Sequence, residues 1–475
     1  MRMRAWPVWV APALLTLTVT LTGIGRAQLW RDELATWSAA TRSVGALVRL
    51  AGTIDAASGP YYLVMHGWVA LAGDSVTALR LPSALAMTVA AGLTAVLGAR
   101  LAGSRAGLLA GLLFAVLPGT SRYGQEARPY ALATLFAVAA TLLLVAAPRR
   151  PGLGRWTAYA LLVAALGLVH LVALTLLAAH AVGVLAQGPG GAAERARRLG
   201  RWVLAVLPAA LVVTPLVLLA GTQRGRQLDW VDAARPDDLA ALAGGVAQSG
   251  VVGGLLVGLA ALGAARLGRP ALLPGCAVLL PVAVLFAAGS IVPLWVPRYL
   301  VFVVPFACVL AGAALAAVAL PAALPVVVLA GLLGLPDQFA LRRTHEWPRG
   351  ATVDYRGAAR IVGEQRQPGD AVVYSPRDSW LFLDLGLAYH LDDRLPRDVL
   401  VTEDQARRGD LWAAECDRPA PCLAGVDRVW LVVAGRRPDP LAAVPGAKGD
   451  ALRTGFRVEM VRQRPGLTVA LLRRR

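Results

Sequence analysis

The chain has 475 residues, of which 57% are hydrophobic and 16% are charged, and its formal net charge is +18. Apolar residues in that proportion, spread over many long runs, indicate a polytopic membrane protein and exclude an ordinary soluble enzyme. The positive charge comes almost wholly from arginine and lies largely in short loops between apolar runs, where basic residues set membrane orientation. We therefore expect a membrane as partner and no nucleic acid.

The first apolar run, residues 7–24, is about the length needed to cross a bilayer. We expect it to be retained, with its N-terminus in the cytoplasm; a signal peptide cleaved after Ala27 is the alternative. Asp32 and Glu33 then emerge at or just beyond the membrane surface. Two adjacent carboxylates are costly against hydrocarbon and useful in a polar cavity, so they are candidate functional residues as well as candidates for a solvated loop.

The segment 26–75 is polar, mixed and too long for a simple turn. Its moderate amphipathicity predicts helices that lie along the membrane surface. Tyr61 and His66 fall in this outer loop and are weaker candidates for contacts to a sugar or a phosphate. Each is also typical of an interfacial anchor.

Basic loops fix the sidedness of the next spans. A second span is predicted near 76–98, a third near 106–117 and a fourth ending near 147. Cytoplasmic loops follow the second and fourth spans, because each of these loops carries arginines: Arg100 and Arg105, then Arg149 and Arg150.

By alternation, the charged cluster between the third and fourth spans shares the outer side with Asp32. This cluster contains Arg122, Glu126, Arg128 and Tyr130. A local salt bridge at a helix start would also explain Glu126 and Arg128, since an acid there favours the helix dipole.

The remaining apolar runs extend to about residue 339. The stretch 156–186 has basic flanks on both sides, so it predicts two short spans that turn near Gly167 or His170; His170 is interpreted as a turn residue only. The tally is about eleven spans, which places Arg298 at an outer turn and everything after 341 outside. Arg298 is a candidate phosphate ligand or a snorkelling interface residue.

The sequence thus predicts a polytopic α-helical membrane domain, residues 1–340, followed by a small extracytoplasmic α/β domain, residues 341–475. In the second domain we predict a helix over 355–365, strands near 370–374 and 429–433, and a terminal hairpin over 457–472. Cys416 and Cys422 bracket a short proline-rich loop there, which predicts a disulfide in an oxidising compartment. A metal pair is less expected, because no further Cys or His lies close by.

The outer-side residues suit transfer from a phosphate-bearing lipid donor. A carboxylate can take the proton from an attacking hydroxyl. Arginine can stabilise the charge that grows on a departing phosphate.

An ordered set of motifs resembles the membrane glycosyltransferases of the GT-C class, above all the bacterial family 39 related to protein O-mannosyltransferases and aminoarabinose transferases. The set consists of the Asp32–Glu33 pair, the segment 122–132, the segment 297–300, and the segments 354–360 and 368–370. The resemblance covers the whole membrane part, and the ordered set is much more specific than the acidic pair alone.

The resemblance implies a GT-C fold, a polyprenyl-phosphate sugar donor and inverting displacement at the anomeric carbon on the outer face. Asp32 would be the general base, and Glu33 would orient it or hold the acceptor. Glu126 and Arg128 would line the same cavity, with Arg122 as a further contact, and Arg298 would bind the lipid phosphate. Tyr130 is a weaker candidate for a sugar or phosphate contact and is also typical of an interfacial anchor.

Several points stay open at the level of the sequence. The donor sugar, mannose or a similar one, is not fixed, and the acceptor is a glycan, a glycolipid or a protein hydroxyl. Some GT-C enzymes use a divalent cation near the acidic pair, but this sequence shows no ligand set that demands one. A transporter or flippase of lipid-linked sugars is the alternative function, although the two halves show no internal repeat. The Ala- and Arg-rich composition is typical of a high-GC bacterium, which predicts a location in the bacterial plasma membrane.

Overall fold

A computed structural model describes residues 7–146, 152–186, 191–346 and 349–475 of the chain. Arg149 and Arg150, used above to place a cytoplasmic loop, lie outside the described residues. The helices of the first 342 residues are α1 (Val10–Leu21), α2 (Arg31–Ala40), α3 (Val44–Thr53), α4 (Gly59–Ala72), α5 (Val76–Ala102), α6 (Ser104–Val116), α7 (Pro118–Gly124), α8 (Tyr130–Ala146), α9 (Leu153–Val169), α10 (Leu176–Ala186), α11 (Ala192–Gln227), α12 (Pro236–Ala247), α13 (Gly250–Leu267), α14 (Leu272–Ile291), α15 (Val304–Leu315), α16 (Leu320–Leu333) and α17 (Leu335–Leu341).

The C-terminal part combines helices and strands. Its elements are α18 (Tyr355–Gln365), β1 (Ala371–Ser375), α19 (Leu383–Leu391), β2 (Arg397–Asp398), β3 (Val401–Glu403), α20 (Gln405–Arg408), β4 (Ala414–Glu415), α21 (Pro419–Cys422), β5 (Arg428–Ala434), α22 (Gly446–Gly455), β6 (Phe456–Arg464) and β7 (Leu467–Arg474). The predicted helix, both predicted strands and the terminal hairpin are all confirmed.

The chain divides into two compact units. The first, called the helical unit here, comprises Met1–Ile24, Asp55–Tyr61 and Thr77–Arg342. The second, called the sheet unit, comprises Gly25–Ile54, Tyr62–Val76 and Arg343–Arg475. Most of the predicted outer loop 26–75 therefore groups with the C-terminal residues, whereas the prediction attached it to the membrane helices.

Among the described residues, five helices are long and apolar enough to cross a membrane, and the number rises to seven if each of two bent helix pairs forms one span. Several shorter apolar helices of 10–17 residues, among them α8 and α9, accompany them. The helical unit is therefore a bundle of membrane type. The predicted count of about eleven spans stays a prediction.

Proline shapes the first bent pair, α6 and α7, whose axes differ by 65°. Leu117 precedes Pro118 and has extended backbone angles, because the proline ring disfavours a helical conformation at the residue before it. Pro118 then begins α7, where its missing N–H costs no hydrogen bond. The break sets the direction of the short helix that carries Arg122.

The helices α6, α13 and α15 pack with their backbones in close approach. A Cβ atom at Gly263 of α13 would overlap the carbonyl oxygen of Leu310 in α15. A Cβ atom at Gly312 of α15 would likewise overlap the carbonyl oxygen of Ala106 in α6. Only glycine fits at these crossings, and such small residues are what membrane helices use to pack tightly.

The sheet unit is built on a five-stranded mixed sheet with the strand order β2-β1-β5-β7-β6. The central strands β1 and β5 run parallel, with Val373 beside Leu431, and the β6–β7 hairpin completes the sheet with antiparallel pairing. Both central strands are buried on both faces, which is why they read as continuous apolar runs in the sequence.

A buried ion network ties the strands of the sheet unit to α19. The Arg377 guanidinium pairs with Asp384 at 3.2 Å, with Glu415 at 3.0 Å and also with Asp398. The three carboxylates raise the pKa of Arg377, although burial opposes this, so the guanidinium stays charged. Lys448 supplies a second cation to Glu415.

Cys416 and Cys422 are bonded to each other in the structure, with their Cα atoms 6.8 Å apart. The four-residue helix α21 carries Cys422 and brings the two sulfur atoms together. Cys276 and Cys308 are free cysteines on helices of the bundle.

Candidate active site

Predicted functional residues occur in both units, and in each unit the structure sets them among further polar side chains. The acidic group of the sheet unit consists of Arg31, Asp32, Glu33, His345 and Glu346. The cavity group of the helical unit is centred on Arg128, Tyr130 and Arg298.

In the acidic group, the first turn of α2 places both predicted carboxylates. Asp32 and Glu33 occupy the second and third positions of this helix, where negative charge is favoured by the helix dipole. The Glu33 carboxylate accepts a hydrogen bond from the Trp30 backbone N–H at 3.4 Å. Glu33 Oε2 lies 3.8 Å from His345 Nδ1, and both side chains are buried.

Glu346 extends the acidic group. Its Oε2 lies 3.7 Å from Arg31 Nε, and its own side chain is buried. Burial raises the pKa of the nearby Tyr355 hydroxyl and the Glu346 charge raises it further, so this hydroxyl stays protonated. The Tyr355 hydroxyl donates a hydrogen bond to the Leu381 carbonyl oxygen.

These contacts distinguish the two adjacent carboxylates. Glu33 is fully buried and helps to close the N-terminus of α2, whereas Asp32 is only half-buried. A general base must reach the hydroxyl of an incoming substrate. Asp32 is therefore the carboxylate of the pair that is better placed for proton transfer, and Glu33 is better placed to hold the local geometry.

The cavity group opens onto a cavity of about 410 Å³ within the helical unit. Its polar lining includes Arg128, Tyr130, His170, Arg224 and Tyr299. The rest of the wall is largely apolar and comes from α9, α11, α14 and the segments that follow them: Val169, Leu171, Val172, Val217, Ala220, Leu228, Val284, Leu285, Ala288 and Leu294. Guanidinium groups beside an apolar wall suit a ligand with an anionic head and a hydrocarbon tail.

Aromatic contacts order the polar side of this cavity. The Arg298 Nε–H donates to the Tyr130 hydroxyl at 3.1 Å, and the Arg298 guanidinium lies 5.2 Å from the Trp230 ring centre. The Tyr130 ring lies 5.7 Å from the His170 ring and 6.4 Å from the Tyr299 ring. Arg298 is thus held next to the cavity wall, through Tyr130.

The end of α11 is anchored as well. Gln223 accepts a hydrogen bond from the Ala56 backbone N–H at 2.8 Å, and Gln227 donates to Asp55. These bonds fix the turn of α11 that carries Arg224. The Arg224 side chain makes no hydrogen bond or ion pair to any residue that the structure describes.

Glu126 and Arg122, both predicted as substrate contacts, are paired with each other in the structure. Their side chains form a buried ion pair at 3.1 Å across one helical turn, and neither lines the 410 Å³ cavity. Of the predicted cavity pair, Arg128 lies in the wall and Glu126 does not. The alternative of a local salt bridge therefore describes Glu126, with Arg122 as a partner.

Two of the weaker candidates, Tyr61 and His66, do not line the 410 Å³ cavity. His66 is in the sheet unit, where its Nδ1 contacts the Ala40 carbonyl oxygen at 2.9 Å, at the C-terminal end of α2. Tyr61 is buried in α4 at the edge of the helical unit. Their roles as substrate contacts stay predictions.

Several residues of these groups were not found from the sequence. Arg224, His345 and Glu346 are not among the site residues that the sequence predicts, and His170 is predicted only as a turn residue. The chain does break at His170, between α9 and a short 3-10 helix. One signal was present: a histidine within the apolar run 156–186 is costly unless it finds polar partners or serves a polar cavity.

The side chains of the acidic group were considered as ligands for a metal ion. Within the ranges that the structure describes, no three or more His, Cys, Asp or Glu side chains are arranged to hold a metal ion.

The chain was compared with known proteins. A sequence model of a family described as dolichyl-phosphate-mannose-protein mannosyltransferase matches residues 60–218. The structure resembles ArnT from Cupriavidus metallidurans, solved bound to undecaprenyl phosphate, with a TM-score of 0.67 at 16% identity over 98% of each chain. The resemblance to the GT-C class is confirmed.

A second GT-C structure shows a more distant likeness. The archaeal oligosaccharyltransferase AglB from Archaeoglobus fulgidus, in complex with an inhibitory peptide and a dolichol-phosphate, gives a TM-score of 0.50 at 11% identity, over 98% of this chain and 73% of AglB. The apo form of ArnT gives 0.64 at 15% identity, over 98% of this chain and 97% of ArnT. No curated protein matches the chain by sequence. At these identities the likenesses establish the fold, that of a polytopic membrane protein with a small sheet-containing C-terminal part.

Proposed function

We propose that this protein is a glycosyltransferase of the bacterial plasma membrane. It moves a sugar, mannose or a similar one, from a polyprenyl-phosphate donor to a hydroxyl acceptor on the outer face, with inversion at the anomeric carbon. The observation that carries the proposal is the 410 Å³ cavity, whose wall combines arginine and tyrosine side chains with an extended apolar surface. ArnT, whose fold this chain shares, has been solved with undecaprenyl phosphate bound.

In the proposed reaction the acceptor oxygen attacks the anomeric carbon of the donor sugar. The carbon–oxygen bond to the phosphate breaks, its electron pair stays on the phosphate, and polyprenyl phosphate leaves. Arg128 and Arg224 would stabilise the added negative charge, because both side chains line the cavity. Arg298 would support them through its bond to Tyr130.

The proton released by the acceptor passes to a base, and we assign this role to Asp32. The half-buried position of Asp32 in the first turn of α2 supports the assignment, as does the involvement of Glu33 in contacts with Trp30 and His345. Glu33 then acts as a positioning residue. The acceptor class, whether glycan, glycolipid or protein, follows from none of these contacts.

The test uses purified protein in nanodiscs with a panel of radiolabelled polyprenyl-phosphate sugars and a cell-envelope extract as acceptor. The wild type should release polyprenyl phosphate, and Asp32→Asn should lower the rate about a hundredfold or more, the usual effect of losing a general base. Asp378→Asn is the matched control, because Asp378 is an exposed aspartate of the same unit.

Turnover at wild-type rate by Asp32→Asn would show that the base is another group, with Glu33 next to be changed. Binding of donor without turnover in any extract would contradict the transferase and favour the transport of lipid-linked sugars.

A further inference from the structure

A second cavity, of about 330 Å³, lies within the sheet unit and takes no part in the proposed reaction. We call it the cationic groove. It lies between α18, α19 and the short 3-10 helix Asp392–Arg394 that follows α19. Its lining consists of Arg356, Ala359, Arg360, Gly363, Glu364, His390, Leu391 and Arg394.

Helix geometry concentrates arginine on this groove. Arg356 and Arg360 are four residues apart on α18, so their side chains are neighbours on one helix face. Arg394 is the third arginine of the lining and belongs to the 3-10 helix. Buried Leu391 and Ala359 contribute the apolar part of the lining.

The lining of the groove carries three arginines and one carboxylate, so positive charge is in excess there. Arg356, Arg360 and Arg394 form no ion pair within 4 Å with any carboxylate of the described chain, whereas Arg464, close by in the same unit, is paired with Asp354. Glu364 is the one carboxylate in the lining. The exposed Asp392 and Asp393 flank Arg394 in sequence without lining the groove.

His390 adds a polar group without adding charge. Burial lowers the pKa of His390 to about 4; the Arg356 charge adds to this lowering, and the Asp354 charge opposes it by a smaller amount. The imidazole is therefore neutral near pH 7, so one ring nitrogen can donate a hydrogen bond and the other can accept one. The positive potential of the groove comes from the arginines alone.

We propose that the cationic groove is a binding site for a phosphate or pyrophosphate group. Three unpaired guanidinium groups offer the planar paired N–H donors that phosphate oxygens accept, and a volume of about 330 Å³ accommodates a phosphorylated group of sugar-phosphate size. The chemistry is the same for a phosphorylated lipid headgroup and for a soluble phosphate ester. The proposal is independent of the transferase activity, since none of these residues belongs to the acidic group or to the 410 Å³ cavity.

The experiment measures binding of inorganic pyrophosphate to the full-length protein in nanodiscs of neutral lipid, by isothermal titration calorimetry. The double variant Arg356→Ala/Arg394→Ala should raise the Kd about tenfold or more, because charge-assisted hydrogen bonds are lost. It should remain folded, since neither guanidinium is paired with a carboxylate. Arg436→Ala is the matched control, an exposed arginine of the same unit outside the groove, and should bind as the wild type does.

Two further arms locate the binding and its source. Arg418→Ala, at another exposed arginine of the sheet unit outside the groove, should leave pyrophosphate binding unchanged; loss in that variant, with the double variant unaffected, would overturn the proposal by placing the anion elsewhere. An unchanged Kd in the double variant would overturn it as well. In nanodiscs that contain phosphatidylglycerol, competition with pyrophosphate supports a lipid headgroup as the natural ligand, and undiminished binding supports a soluble phosphate ester.

Discussion

Arg224 gives the sharpest test of the proposed donor site. Its guanidinium lines the 410 Å³ cavity and makes no hydrogen bond or ion pair to the described part of the chain. Removing it should therefore cost the protein little stability while removing one partner of the departing phosphate. A charge-assisted hydrogen bond is worth about 1.5–3 kcal/mol, so Arg224→Gln should lower kcat/KM for the polyprenyl-phosphate donor about 10- to 150-fold.

Arg226 offers a closely matched control. It lies two residues further along α11, is exposed and does not line the cavity. Arg226→Gln removes the same charge from the same helix end, so it separates a local contact from a general electrostatic effect. Release of radiolabelled polyprenyl phosphate and the melting temperature would be measured for both variants. Equal losses in both, or no loss in Arg224→Gln, would refute the assignment of Arg224 to the phosphate.

Three further outcomes are expected. Tyr130→Phe removes the hydroxyl that accepts from Arg298 Nε and should lower kcat/KM about two- to tenfold, an effect that should be absent if Arg298 is already altered to alanine. Arg377→Met leaves three carboxylates facing one another and should destabilise the sheet unit by about 3–5 kcal/mol; an unchanged thermal melt would contradict the buried network. The folded-state pKa of His390 is lowered to about 4 from an ordinary value near 6.5, so its contribution to stability is present above pH 6.5 and is lost as pH falls towards 4; His390→Gln should flatten the melting temperature across that range.

The elements of the sheet unit could be predicted because their patterns are local. The helix Tyr355–Gln365 has a clear amphipathic period, and β1 and β5 are short apolar runs between turn residues. The number of membrane spans could not be fixed in the same way. Apolar runs interrupted by prolines, such as Pro118, form bent or short helices that composition alone counts as full spans.

The candidate site was predicted only where charge stood out from apolar surroundings. The sequence predicts Arg128, Tyr130 and Arg298 as candidates because each lies next to a membrane span. The structure brings them together within the helical unit. Arg224 and His345 could not be predicted as site residues, because their surroundings depend on which elements pack side by side. No spacing in the sequence encodes that packing. Glu126 shows the opposite case: the sequence places it with Arg128 at a helix start, and its ion pair with Arg122 is evident only from the geometry.

The glycine crossings of α6, α13 and α15 bear on how a long isoprenoid chain reaches its place. Helices locked backbone to backbone at Gly263 and Gly312 have no room to slide or to admit a lipid tail between them. The apolar wall of the 410 Å³ cavity is built from α11, α14 and the segment 171–175, which lie outside that locked set. The three crossing helices therefore form a fixed frame, and a hydrocarbon tail held in this cavity would lie against α11 and α14 rather than between members of that frame.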